Sequence, residues 1–178
     1  MDDFVFPVGY HEFHPSQVFN FQLNRWHSLG YARYEDMLEV GSGIETFTDW
    51  KTEMVRQADR ALSEGRRLNA AFYYRAAELY TLADDPDKVG LYERFIELFY
   101  GVFGGSGIVC HDIPYGDGAM RVMCVPAKDG AARDTIVMHG GFDSFIEEFY
   151  SWMVFFSNRG YDVVAFEGPG QGGARRTH

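Results

Sequence analysis

The chain has 178 residues, with 16 Lys and Arg against 26 Asp and Glu, and a formal charge of −10. Hydrophobic residues supply 46% and aromatic residues 17% of it, a globular composition that excludes a disordered chain. The acidic balance argues against nucleic acid and anionic membrane surfaces as partners, and no apolar run approaches the roughly 20 residues of a membrane span.

The first residues, Met1-Asp2-Asp3-Phe4, are acidic where a secretion signal needs a basic start, so a soluble, cytoplasmic protein is expected. From Pro15 to about Phe103 the pattern is helical. Two short helices are expected over Ser16–Leu29 and Tyr34–Val40, each followed by glycine. Phe47, Trp50, Met54, Ala58 and Leu62 recur at three- and four-residue steps on one face of a third helix, with Gly65 as its stop. A fourth helix is expected over Arg67–Ala83, with Ala70, Phe72, Tyr73, Ala76, Ala77 and Tyr80 as a broad apolar flank. Asp85-Pro86 caps and opens a fifth, through Tyr92, Phe95, Ile96 and Phe99. No second copy of this pattern recurs at a fixed period, which sets a repeat array aside.

The glycine cluster over 101–107 marks a change of regime. After it, Ile108–Pro114 and Ala119–Val125 read as two strands joined by a Tyr-Gly-Asp-Gly turn and closed by Pro126. Cys110 and Cys124 lie symmetrically about Asp117, so a simple hairpin sets them opposite each other; directly opposed strand residues suit a disulfide poorly, and two reduced thiols are expected. Cys110 and His111 point to opposite strand faces and cannot form a catalytic pair. Next come an apolar strand over Thr135–Met138, the tripeptide His139-Gly140-Gly141, and an amphipathic helix over Ser144–Asn158. Ser144 and Glu147 are its expected capping box, Gly160 its stop, and Phe145, Phe149, Trp152, Met153 and Phe156 its core face. Asp162–Phe166 is a second continuous apolar strand. Strand, helix and strand of this kind form a right-handed parallel β-α-β unit, so the fold class is α/β, with helices first and sheet second.

The segment Thr135–Arg176, TIVMHGGFDSFIEEFYSWMVFFSNRGYDVVAFEGPGQGGARR, resembles the α/β-hydrolase superfamily. More narrowly it is similar to the branch with an N-terminal helical cap that includes 2,6-dihydroxypseudooxynicotine hydrolase and fungal polyketide-shortening hydrolases. The likeness is close over residues 108–176 and weaker over the cap-like GRRLNAAFYYRAAELYTLADDPDKVGLYERF. It implies a cap-like helical domain over 1–103 and the first strands of a hydrolase sheet over 104–178, ending before the nucleophile elbow. No cofactor and no metal ion are expected.

In this fold the loop after the third strand gives one backbone N–H to an oxyanion hole. Here that loop is His139-Gly140-Gly141-Phe142-Asp143, and the resemblance assigns the donor to the N–H of Phe142, with Gly141 second. His139, Gly140, Glu167, Gly168 and Gly170 are expected to shape the pocket, Glu167 standing where the branch more often has Asp. Arg175 and Arg176 are read as a solvated basic pair. Gly168-x-Gly170-x-x-Gly173 also spells a dinucleotide fingerprint, but Pro169 occupies the place where a helix must open, and that reading is rejected.

The serine-hydrolase elbow Gly-x-Ser-x-Gly is not among the 178 residues. Gly104-Gly105-Ser106-Gly107 comes nearest but continues with Ile108 and precedes the first strand. The expectation is therefore a portion of a serine-type hydrolase of esters, amides or activated carbon–carbon bonds, inactive alone, whose intact form acts on a small-molecule substrate. Its third strand is expected to have a bare apolar edge, inviting an oligomer or a complementing chain. The alternative is a non-catalytic helical interaction module with a vestigial sheet.

Overall fold

The computed structural model describes residues 4–177, with side chains to Arg175. They fall into two compact units, one spanning Val5–Val102 and the other residues 103–177 together with Phe4.

The first unit is helical: α1 (Gln17–Ser28), α2 (Tyr34–Ser42), α3 (Phe47–Ser63), α4 (Arg67–Tyr80) and α5 (Asp87–Phe103). Local chemistry sets most of the ends. Thr46 accepts from the Asp49 N–H while the Asp49 carboxylate accepts from the Thr46 N–H, a reciprocal cap on α3 that stabilises by about 1 kcal/mol. At the other end Gly65 takes φ +77°, the Gly65 N–H reaches Leu62 O and the Arg66 N–H reaches Ala61 O. Gly30 closes α1, and Gly160 the later helix Tyr150–Ser157, with the same paired bonds, the Schellman arrangement in which a left-handed residue returns two N–H groups to orphan carbonyls. Asp85 accepts from the Asp87 N–H at 2.9 Å at the start of α5.

α3 and α4 form the most extensive helix pair, tied by Trp50 Nε1–H donating to Ala76 O at 2.7 Å. Leu23, Trp26, Met37, Trp50, Met54, Phe72, Phe95 and Phe99 are fully buried, each worth about 1.5–3 kcal/mol of transfer from water. Tyr31 stacks on Phe72 at 3.5 Å. Two helix lengths differ from expectation. α2 runs through Gly41 to Ser42, because the missing side chain lets the helix lie against Phe13 O, which a Cβ at Gly41 would meet at 2.1 Å. α4 stops at Tyr80, short of Ala83, where Thr81 turns extended and its hydroxyl caps Ala77 O.

The second unit holds β1 (Val109–Tyr115), β2 (Gly118–Val125), β3 (Thr135–His139), a 3₁₀ turn (Ile146–Phe149), α6 (Tyr150–Ser157), β4 (Asp162–Phe166) and α7 (Ala174–Thr177). The sheet order is β1-β2-β4-β3, antiparallel except for the β3–β4 pair, which is parallel. The β3-α-β4 unit is thus as the apolar strands imply, and β4 is inserted between β2 and β3.

Three expectations are corrected. Gly116 has positive φ and Asp117 does not, so the hairpin closes on two residues with Tyr115 opposite Gly118. That register pairs Cys110 with Met123 and Cys124 with Val109, so the cysteines lie on opposite faces of the sheet and are not joined by a disulfide. Second, the expected helix over Ser144–Asn158 begins as a 3₁₀ turn at Ile146. Glu148 accepts from the chain at its start, through the Phe145 N–H at 3.0 Å, and Ser144 stands outside it. Phe145 and Met153 are buried as expected, whereas Trp152 is 43% exposed, because the shift from 3₁₀ to α turns it off the core side. Third, β3 is not covered on both faces: Val137 is 62% exposed, as befits an edge strand with one neighbour.

Candidate functional site

Two loops meet at the carboxyl ends of the parallel strands β3 and β4, where α/β sheets gather their chemistry. One is His139–Asp143, beginning at the last residue of β3. The other is Glu167–Gly173, following β4. All seven residues singled out from the sequence, His139, Gly140, Gly141, Phe142, Glu167, Gly168 and Gly170, lie in this pair of loops.

Glu167 is the anchor. Only 4% exposed, it accepts from Ile146 N–H (3.2 Å) with Oε1 and from Gly173 N–H (2.8 Å) and Ala174 N–H (3.2 Å) with Oε2. Its own N–H donates to Arg121 O on β2. Burial raises its carboxyl above the usual carboxylate range; the three N–H donors and Arg121 oppose that rise without cancelling it. Gly172 closes around this carboxylate at φ +42°, and a Cβ there would lie 2.1 Å from Glu167 Oε1 and 2.7 Å from Ser144 O.

Gln171 bridges the loops. Its Oε1 accepts from Gly168 N–H at 2.8 Å and its Nε2–H donates to Gly140 O at 2.9 Å. Beside it the Gly172 N–H donates to Phe142 O at 3.1 Å. Gly140 is also sterically required: a Cβ would meet Ser144 Cβ at 2.7 Å and the Phe149 ring at 3.1 Å. Among the described residues, the N–H groups of Gly141 and Phe142 donate to no protein acceptor.

The rest of the loop is open. Phe142 is 66% exposed, and Arg175, also exposed, sets its guanidinium 5.4 Å from the ring centroid. His139 is exposed, its Nδ1 3.1 Å from Gly140 O and its ring 5.8 Å from that of Phe166. Gly168 is half-buried, and Gly170 takes φ +76° with open space around it. Arg176 lies outside the described side chains. Ser106, the serine nearest to an elbow motif, donates to Phe103 O and contacts the Tyr150 hydroxyl at 2.7 Å. Among the described residues there is no cluster of three metal-ligating side chains, and no helix is long and apolar enough to cross a membrane.

Sequence reasoning passed over Gln171 and Gly172 as mere parts of a glycine turn. The available signal was a long polar side chain within a run of glycines, where only a specific hydrogen bond would retain it.

No protein-family model matches the chain. Among curated proteins, Hydrolase acrC of Aspergillus aculeatus is 34% identical over an alignment covering 90% of this chain and 47% of that protein. Alpha/beta hydrolase gkaG of Penicillium citrinum is 28% identical, over 90% of this chain and 44% of that protein. This chain is a relative of the α/β-hydrolases. Solved structures agree at the level of fold. Wild-type AbyA5 matches with a TM-score of 0.66 at 21% identity, over 88% of this chain and 46% of that one. The crystal structure of 2,6-dihydroxy-pseudo-oxynicotine hydrolase matches with a TM-score of 0.52 at 25% identity, over 83% and 46%. The chain therefore spans about half the length of the curated relatives it matches.

Proposed function

We propose that these residues form the cap-like and oxyanion-side portion of a cytoplasmic serine-type α/β-hydrolase, with residues 1–103 as the helical cap and 104–178 as the first part of the catalytic core. The reaction class is hydrolysis of an ester, an amide or an activated carbon–carbon bond of a small molecule. The observation that carries the proposal is the Gly141–Phe142 segment. Its two N–H groups donate to no protein acceptor among the described residues, in a loop whose flanking carbonyls are both held by the opposite loop. Preorganised donors of this kind stabilise a developing oxyanion by about 2.7–4 kcal/mol each. His139, Gly140, Glu167, Gly168 and Gly170 position this segment and take no part in bond breaking. The nucleophile, its acid and its histidine belong, on this reading, to residues beyond the 178, since no Gly-x-Ser-x-Gly elbow is among them.

The test is covalent labelling with a fluorophosphonate, applied to this chain and to a polypeptide extended through the downstream reading frame. Labelling confined to the extended polypeptide is the expected result. If both are folded and neither labels, the serine mechanism fails.

A second reading, a helical binding module, is favoured by one observation. The helical unit has an open groove of about 1060 Å³ lined by Tyr10, His14, Val18, Phe21 and Tyr80, among others. Val18 and Phe21 expose about half their surface there.

A further inference from the structure

The Gly140 carbonyl and the Gly141 N–H belong to one planar trans peptide unit, so they point in opposite directions. Whatever fixes that carbonyl therefore aims that N–H. Gln171 Nε2–H holds the carbonyl at 2.9 Å, and Gln171 is itself held because its Oε1 accepts from the Gly168 N–H at 2.8 Å; the exposed His139 places Nδ1 3.1 Å from the same carbonyl oxygen but has no such second anchor to the opposite loop among the described residues. A primary amide carries a donor and an acceptor on a single rigid plane without a charge, as this bridge requires. The Phe142 N–H belongs to the next peptide unit, whose carbonyl, that of Gly141, accepts from no described group.

We infer that Gln171 is a positioning residue which aims the Gly141 N–H as the preorganised oxyanion donor, leaving the Phe142 N–H to be oriented by whatever binds. This rests on reading Gly141–Phe142 as an oxyanion loop. Gln171 touches no reacting atom; it acts through the Gly140 carbonyl.

The decisive variant is Gln171→Glu. Ionised, the introduced carboxylate still accepts from Gly168 N–H but cannot donate to Gly140 O, and it repels that oxygen. Protonated, it regains one O–H donor. The assay is ¹⁵N relaxation of the Gly141, Gly168 and Gly172 amides in this chain, recorded at pH 7 and near pH 4. The parent, run at both pH values, controls for pH effects from the other charged and titratable groups near the loops, Glu167, Asp143, His139 and Arg175. In the parent the Gly141 order parameter should sit near the rigid value of about 0.85 at both pH values. In Gln171→Glu at pH 7 it should fall below about 0.6, with Gly168 unchanged, and return toward the parent value in acid. Gln171→Ala should lose Gly141 order at both pH values. An unchanged Gly141 in Gln171→Glu at pH 7 overturns the inference, and so does a loss of order that acid does not reverse. A Gly141 ordered only when Gln171 is intact, in a protein whose extended form takes no fluorophosphonate, would count against the hydrolase reading and leave the Gln171 bridge standing.

Discussion

Replacing Gly172 by alanine asks the loop pair to accommodate one methyl group where there is none to spare. The new Cβ would lie 2.1 Å from Glu167 Oε1 and 2.7 Å from Ser144 O, one a side chain held by three N–H groups and the other backbone. Neither is the free end of a flexible chain. The substitution also imposes a φ of +42° on an L-residue, which costs about 1–2 kcal/mol. If Glu167 yields, it loses the Ile146 N–H, a hydrogen bond to a charged group worth about 1.5–3 kcal/mol. Together the loss is about 3–5 kcal/mol, a large share of the roughly 5–15 kcal/mol that holds a domain folded. Urea unfolding, with amide exchange of the β-strand peptides to identify the transition of the sheet unit, measures it. At a slope of about 1.5 kcal/mol per molar the midpoint falls by about 2–3 M. Gly170→Ala is the matched control, since Gly170 has φ +76° but nothing within 4 Å of its would-be Cβ; only the torsional cost of about 1–2 kcal/mol applies. If Gly172→Ala is no worse than Gly170→Ala, the packing argument around Glu167 is wrong.

Three further outcomes are expected. Because the folded state raises the Glu167 carboxyl, its stabilising contribution is fully present below the unfolded value of about 4.3 and is lost as pH rises through the folded value. Parent stability measured against Glu167→Gln should therefore decline from pH 4 to pH 8, and a rise would contradict the assigned direction. Glu78→Ala should destabilise the helical unit by about 3–5 kcal/mol, since Arg75 is 1% exposed and pairs with Glu78 inside it; a melting curve that barely moves would count against a buried pair. Val137→Lys, on the open edge of β3, should shift the chain toward monomer in sedimentation velocity, because edge lysines oppose strand addition. Equal self-association in parent and variant would show that this edge is not the contact.

The sequence was readable where one local rule acted alone. Gly30, Gly65 and Gly160 stop helices because each takes a positive φ that returns two N–H groups to the last turn, and each could be placed from glycine after an apolar-periodic run. The apolar strands Thr135–Met138 and Asp162–Phe166 gave the parallel pair, and the motif after each strand gave the two loops of the candidate site. What stayed hidden depended on register or on distance. A two-residue turn instead of a one-residue centre moved Cys110 and Cys124 to opposite faces, a difference invisible to symmetry counting about Asp117. Trp152 fits a core face on a regular helix drawn from Ser144, and only the 3₁₀ start at Ile146 turns it outward. The bridge from Gln171 to Gly140 spans 31 residues, and no periodicity carries that information.

The strand order has a consequence for biosynthesis. β4 is made last of the four described strands, yet it lies between two of them, β2 and β3. Until it emerges, β3 has no described partner and β2 has only the hairpin strand β1. About 40 residues separate the end of β2 from the end of β4, so at roughly 5–20 residues per second the ribosome leaves these described strands unjoined for about 2–8 s. The five helices precede that interval and can pack while it lasts. Newly made chains should thus pass through a stage with a finished helical half and an unpaired β3, the stage at which a chaperone has most to cover.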